Sequence, residues 1–296
     1  MQANMRGIVL LTLSMAAFAA EDALIKLASG DLPAGQIMLM IGVIGATVFA
    51  TWGRLQGHRI WSRQVLDGTL WLRNLFEVIG TLGFVTALTL IPLSTASAIL
   101  QAAPIMLTAG AAIFLGETVG WRRWSAIAVG FCGVLVILRP AAEGFDAHAL
   151  WAVLSVLGLA GRDLVTRRMK ESLPTMVVAT WAFVTVAALG AAMLAASGGA
   201  ALPGGPGLWY VLAAVTFGIG GYWAIIEATR AGDVATIQPF RYTRLIFAMT
   251  VAALVFGERP DGWTLLGAAM IIGSGLYAYA RESARKRALS TTPRAG

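Results

Sequence analysis

Ala112-Ile113-Phe114-Leu115-Gly116-Glu117 closes one apolar run of this chain, and Leu254-Val255-Phe256-Gly257-Glu258 closes another 141 residues later. The same offset carries Leu13-Ser14 onto Leu154-Ser155, Asp22 onto Asp163, Lys26 onto Arg167, Leu32-Pro33 onto Leu173-Pro174, and Gly80 onto Gly221. The chain therefore reads as a duplication. Each half holds an odd number of membrane-length apolar runs, so the second copy enters the bilayer in the opposite orientation. The expected fold is an all-α membrane protein of ten transmembrane helices in two inverted five-helix repeats, residues 1–140 and 141–281, with a basic tail at 282–296. Inverted repeats in membrane proteins go with transport.

Composition supports the membrane class independently. Of 296 residues, 58% are hydrophobic and 12% charged, about half the charge of an ordinary soluble chain. Gly, Pro and charged turns divide the sequence into spans of roughly 20 residues, at 6–28, 33–53, 69–90, 92–115, 121–139, 148–170, 174–196, 207–230, 233–256 and 262–280. The short connections make neighbouring helices antiparallel.

The basic residues set the orientation. With a cytoplasmic N-terminus, Arg6, Arg54, Arg59, Arg63, Arg73, Arg122, Arg123, Arg167, Arg168, Lys170, Arg230, Arg281, Arg285, Lys286, Arg287 and Arg294 lie at the inner side, against Lys26, Arg139 and Arg259 outside. Both termini are thus expected in the cytoplasm of a cell whose inner membrane holds the protein. The net charge of +7 is then a topology signal with membrane lipids as partners, and no nucleic acid is called for. Ala17-Phe18-Ala19 resembles a signal-peptide cleavage site, but cleavage would delete one member of the repeat, so the first span is expected to stay.

The sequence offers no enzyme chemistry. It contains no nucleotide loop, G-x-S-x-G elbow, H-E-x-x-H or Cys/His cluster at metal spacing. The lone Cys132 can form no intramolecular disulfide, and His58 and His148 lack ligand neighbours. Neither a metal, a cofactor nor a catalytic residue is expected, which leaves a carrier or channel, with an intramembrane lipid-modifying enzyme that carries no readable motif as the alternative from another class.

The ten spans in two inverted halves, the Gly116-Glu117 and Gly257-Glu258 pairs, and the stretch Trp124 to Gly130 resemble the drug/metabolite transporter superfamily. Within it the chain is similar to the EamA-type exporters, and more narrowly to bacterial exporters of aromatic amino acids. The resemblance implies a substrate path between the halves, lined chiefly by spans 1, 3, 4, 6, 8 and 9. One departure stands out: span 4 carries Pro104, but the equivalent position in span 9 is Leu245 and the proline there is Pro239, so the two need not bend at matching depths.

Polar groups inside the membrane are costly enough to require a reason. Asp22 and Asp163 each have a cation four residues on, Lys26 and Arg167; these read either as local ion pairs or as symmetry-related gates remade during alternating access. Arg244 sits about 16 Å into span 9 and Glu77 about 10 Å into span 3 by helical rise. They read as a mutual ion pair tying the halves together, or as receptors for the carboxylate and ammonium of a zwitterion. Ser94, Ser97 and Gln101 share one face of span 4, and Gln238 and Tyr242 one face of span 9; interhelical bonding and ligand contact both fit. Phe18 and Phe84 lie near mid-depth of spans 1 and 3, and Trp223 on span 8 one turn before Glu227; they either pack the bundle or form an apolar pocket for a bulky side chain. Gly218, Gly220 and Gly221 in span 8, with Gly80 and Gly83 in span 3, suit close helix approach or bending. Glu117 and Glu258 are expected to be structural, capping and pairing beside Arg122, Arg123 and Arg259.

The resulting expectation is an exporter of aromatic or large neutral amino acids, driven down the cytoplasmic gradient or exchanged for protons. Another metabolite, such as a nucleoside, polyamine or cationic drug, is the competing cargo.

Overall fold

The computed structural model describes residues 2–117, 119–140, 145–169, 173–197, 199, 205–231 and 234–291. Among them the secondary structure is entirely helical. The long helices are α1 (Gln2–Ala28), α2 (Ala34–Leu55), α3 (Gly68–Leu90), α6 (Trp121–Leu138), α7 (Ala149–Thr166), α8 (Thr175–Ala196), α9 (Gly207–Ala231) and α12 (Gly262–Thr291). Two further apolar segments are interrupted. One is split into α4 (Leu93–Leu100) and α5 (Ala103–Phe114); the other runs as α10 (Val234–Ile237), a 3-10 stretch Gln238–Tyr242, and α11 (Thr243–Phe256). Among the described residues nine helices are long and apolar enough to cross a membrane. The 23-residue α3, which carries Arg73, Asn74 and Glu77, is the long segment outside that set.

Local chemistry sets the boundaries. Pro33, Pro92 and Pro174 stand immediately before α2, α4 and α8, where a fixed φ and a missing N–H are tolerated. Asp67 caps α3 by accepting from the Thr69 amide at 2.8 Å, satisfying one orphan donor. The Gly-Glu pairs have the same explanation in both halves. Gly116 and Gly257 adopt left-handed φ values of 68° and 64°, a turn that glycine makes without strain. The turn folds the Glu117 and Glu258 amides back onto the carbonyls of Ala111 and Ala252, at 3.2 and 3.1 Å.

The basic tail expected at 282–296 is a separate matter. Residues up to Thr291 continue α12, because Arg281 to Thr291 contains no Pro or Gly to stop it, and 292–296 lie outside the described residues. Asp233, the first residue of the expected span 9, also lies outside them.

Packing runs between the halves more than within them. The heaviest interfaces join α1 to α9, α2 to α8, α3 to α7 and α6 to α12, so that α1–α9 and α7–α3 are the same crossing made at equivalent positions. Glycines allow it, since between apolar helices in lipid close van der Waals contact replaces the hydrophobic drive. A Cβ on Gly158 would lie 2.3 Å from the Gly80 amide nitrogen, and one on Gly190 would lie 2.4 Å from that of Leu39. The outward faces keep large apolar residues, among them Leu13, Val43, Ile113, Ile246 and Leu254, a belt that matches hydrocarbon and would be an aggregation hazard in water. Cys132 belongs to such an exposed face rather than to the packed interior.

The interrupted helices meet at the centre. The break at Gln101–Ala102 is equivalent to the end of the second interruption at Tyr242–Thr243, but that interruption begins four residues earlier, at Gln238 beside Pro239, so the two segments are irregular over different depths, as their differently placed prolines suggested. Gln101 Nε2 donates to the Tyr242 carbonyl at 3.4 Å, a contact between residues 141 apart.

Candidate functional site

Arg244, on α11, does not meet Glu77. Its guanidinium donates to Asp22 on α1, with Nη2 at 2.9 and 2.8 Å from the two carboxylate oxygens and Nε at 3.3 Å from one of them. Asp22 is 2% exposed, and a buried carboxylate of this kind requires a fixed partner. The guanidinium carbon lies 5.4 Å from the Phe18 ring centre and 5.8 Å from that of Phe84, within cation–π range of both. Four of the residues singled out from the sequence, Arg244, Phe18, Phe84 and Asp22, are thus brought together, Asp22 with a partner other than the expected Lys26.

Glu77 belongs to a second cluster, on α3 and α7. It contacts Arg73 one turn before it at 2.6 Å and Arg162 at 3.2 Å, while Arg162 also reaches Asp163 at 2.8 Å. Two cations and two carboxylates neutralise one another there.

The i,i+4 pairs expected for Asp22–Lys26 and Asp163–Arg167 are replaced by longer-range contacts. Lys26 Nζ donates to the carbonyls of Leu88 and Ile91 at 3.0 and 2.6 Å, at the end of α3 where the last helical carbonyls lack partners. Arg167 pairs with Glu117 at 3.0 Å. A helix offers Asp22 its fourth neighbour, but a cation on an adjoining helix holds the carboxylate where water is scarce.

Glu258 likewise ignores the adjoining arginine. Its carboxylate accepts from the Leu93 and Ser94 amides at 2.8 and 2.9 Å and from the Ser94 hydroxyl at 2.8 Å. It therefore caps the N-terminus of α4 from the other half of the chain, favoured also by the helix dipole. Replacing Glu258 by Ala is expected to destabilise the protein by about 1–2 kcal/mol. A melting temperature in detergent equal to wild type would rule out this cap as a tie between the halves.

The remaining candidates separate. Gln101 is 8% exposed and serves the backbone contact already described; Gln238 lies in the 3-10 stretch and is half-buried. Tyr242 turns its phenol towards Gly275 on α12, away from Arg244. Ser97 has a buried hydroxyl without a hydrogen-bond partner among the described residues. Trp223 is 48% exposed, on the strip of α9 that also carries Trp209, Leu212 and Gly220. Helical rotation puts that strip opposite the face packed on α1, so Trp223 does not join Phe18 and Phe84.

Beside Phe18 opens a cavity of about 100 Å³, lined by Phe18, Glu21, Phe49, Phe183, Gly218 and Tyr222 among others. Phe49 stacks on Phe183 with centroids 5.4 Å apart and meets Tyr222 edge-on at 5.1 Å. Ligand pockets commonly hold roughly 300–1,000 Å³. This space admits a functional group in the present conformation, and a whole metabolite only after the helices part. Glu21 escaped the sequence reading, although its position next to Asp22 and three residues from Phe18 placed it on an inward face. Among the described residues no group of three or more His, Cys, Asp or Glu is arranged to hold a metal ion.

A many-helix bundle with charged pairs and an aromatic cavity between its halves is the architecture of a multi-pass membrane transporter. The chain belongs to the EamA-like transporter family, whose model matches twice, at residues 5–139 and 147–279. It is 31% identical to the riboflavin transporter of Rhizobium johnstonii, over 73% of this chain and 71% of that one. It is 29% identical to the S-adenosylmethionine uptake transporter of Rickettsia felis, over 73% of each chain. A crystal structure of a protein 21% identical to this one matches with a TM-score of 0.62, covering 95% of this chain and 98% of that one, a likeness of fold.

Proposed function

We propose that this protein is an inner-membrane secondary transporter of small aromatic metabolites. It works by alternating access between two inverted halves, with ten spans and both termini in the cytoplasm. The charged α3 is the remaining span, since Arg73, Glu77, Arg162 and Asp163 compensate one another. The observation that carries the reading is Arg244, held by Asp22 from the other half and flanked by Phe18 and Phe84, beside a cavity faced by Phe49, Phe183 and Tyr222. A ring entering there meets aromatic faces on several helices. Relatives named for riboflavin and S-adenosylmethionine, both of which contain planar heteroaromatic rings, support that cargo class.

Export of aromatic amino acids is the narrower version, and it needs a cation free for the carboxylate. Arg244 is engaged by Asp22. The role passes to Arg241, which lies in the interrupted part of the segment, where irregular backbone borders a cavity.

Counterflow in proteoliposomes tests the reading without assuming a direction of transport. Labelled riboflavin, S-adenosylmethionine or phenylalanine is expected to accumulate against its unlabelled form, whereas aspartate and lysine are not. Accumulation of lysine with none of the ring compounds would remove the aromatic assignment.

A further inference from the structure

Positions 21 and 162 are equivalent in the two halves, and so are 77 and 218. At the α7–α3 crossing those positions hold an ion pair, Arg162 to Glu77 at 3.2 Å. At the matching α1–α9 crossing they hold Glu21 and Gly218. A Cβ on Gly218 would stand 2.5 Å from a Glu21 oxygen, so the carboxylate lies against the bare glycine backbone. Among the described residues it has no hydrogen bond and no ion pair. Arg244 is near enough for its charge to act on Glu21, but its guanidinium is already committed to Asp22. One half of the duplication thus has a complete pair, and the other a carboxyl group without a counter-charge of its own, facing a cavity.

An unpaired carboxylate in apolar surroundings is costly. Its neighbours here are Phe18, Phe49, Phe183 and Tyr222, and aromatic faces around an anion are the chemistry that binds organic cations. We infer that Glu21 binds a positively charged nitrogen or sulfur centre of the transported metabolite, an ammonium or sulfonium, within that aromatic enclosure. The inference rests on the aromatic-metabolite reading and narrows it: the cargo carries a ring and a positive charge. Gly218 is then the residue that leaves room for the charge beside the carboxylate.

The test uses the purified full-length protein in detergent and phenyltrimethylammonium, whose charge is fixed and which donates no proton. Wild type is expected to bind it in preference to neutral tert-butylbenzene, and Glu21→Gln to lower that preference by roughly tenfold or more. Gly218→Ala, which presses a methyl group on the carboxylate and leaves its charge in place, is expected to lower it as well. A preference unchanged in Glu21→Gln overturns the inference, as does one unchanged in Gly218→Ala if Glu21→Gln cannot be purified folded. Uptake of a neutral aromatic driven by a pH gradient, and lost in Glu21→Gln, would assign the site to a proton and overturn it too. Liposomes that accumulate riboflavin while phenyltrimethylammonium goes unbound would remove this inference alone. If the cation binds but no aromatic compound accumulates, the transporter reading falls and the binding site stands.

Discussion

Arg244→Ala is expected to destabilise the folded protein by about 3–5 kcal/mol, the cost of leaving one member of a buried ion pair without the other. The carboxylate left behind is that of Asp22, 2% exposed, with Phe18 and Phe84 on the same guanidinium and no nearby residue able to replace it. Lys26 is one turn away, but it is bound to the carbonyls that end α3. Removing both charges together, as Asp22→Asn with Arg244→Gln, is expected to recover more than half of the loss, because two neutral groups can bond each other where a lone anion cannot. Thermal unfolding of the two single variants and the double variant gives the coupling directly. Single variants whose losses simply add would show that the pair is not coupled and that Asp22 reaches water by another route. Transport should fall in all three, since the pair ties α1, which borders the cavity, to α11 in the other half.

Much of the architecture was legible because bilayer physics constrains sequence strongly. A predicted span at 33–53 corresponds to Ala34–Leu55, and one at 174–196 to Thr175–Ala196, since proline entry points and apolar runs are local signals. The equivalent glycines at 116 and 257 were equally visible, because a left-handed turn leaves few choices of residue. The pairing of charges was not legible. Depth along a helix can be counted, but the rotation that aims Arg244 at Asp22 rather than Glu77 depends on how distant helices pack. Trp223 failed for the same reason: its place inside span 8 grouped it with Phe18 and Phe84, and rotation of α9 took it to the outer strip. Glu21 is the opposite case. Two adjacent carboxylates in an apolar span were a signal on the page, and comparison with Arg162 across the repeat would have shown which of them lacked a counter-charge.

Gly158→Ala is expected to be far more damaging than Gly221→Ala, although both place a methyl group at the same helix crossing. In one half the crossing pairs Gly158 with Gly80, and a Cβ would lie 2.3 Å from the Gly80 nitrogen and 2.6 Å from its Cα. Backbone cannot rotate aside as a side chain does, so α3 and α7 must separate. In the other half the equivalent pair is Ala17 with Gly221, and a Cβ there would meet the Phe18 ring at 3.1 Å and the Ala17 methyl at 3.3 Å, which a small tilt of the ring relieves. The cost expected for Gly158→Ala is about 1–3 kcal/mol, towards the upper end of what overpacking produces, and a fraction of that for Gly221→Ala. Separation would also lengthen the 3.2 Å contact of Arg162 with Glu77, so loss of stability should come with loss of the α3–α7 charge cluster. Melting temperatures in detergent decide it. If Gly158→Ala melts with Gly221→Ala and both transport at the wild-type rate, α3 and α7 part without penalty. The crossing would then be a movable contact rather than a fixed one.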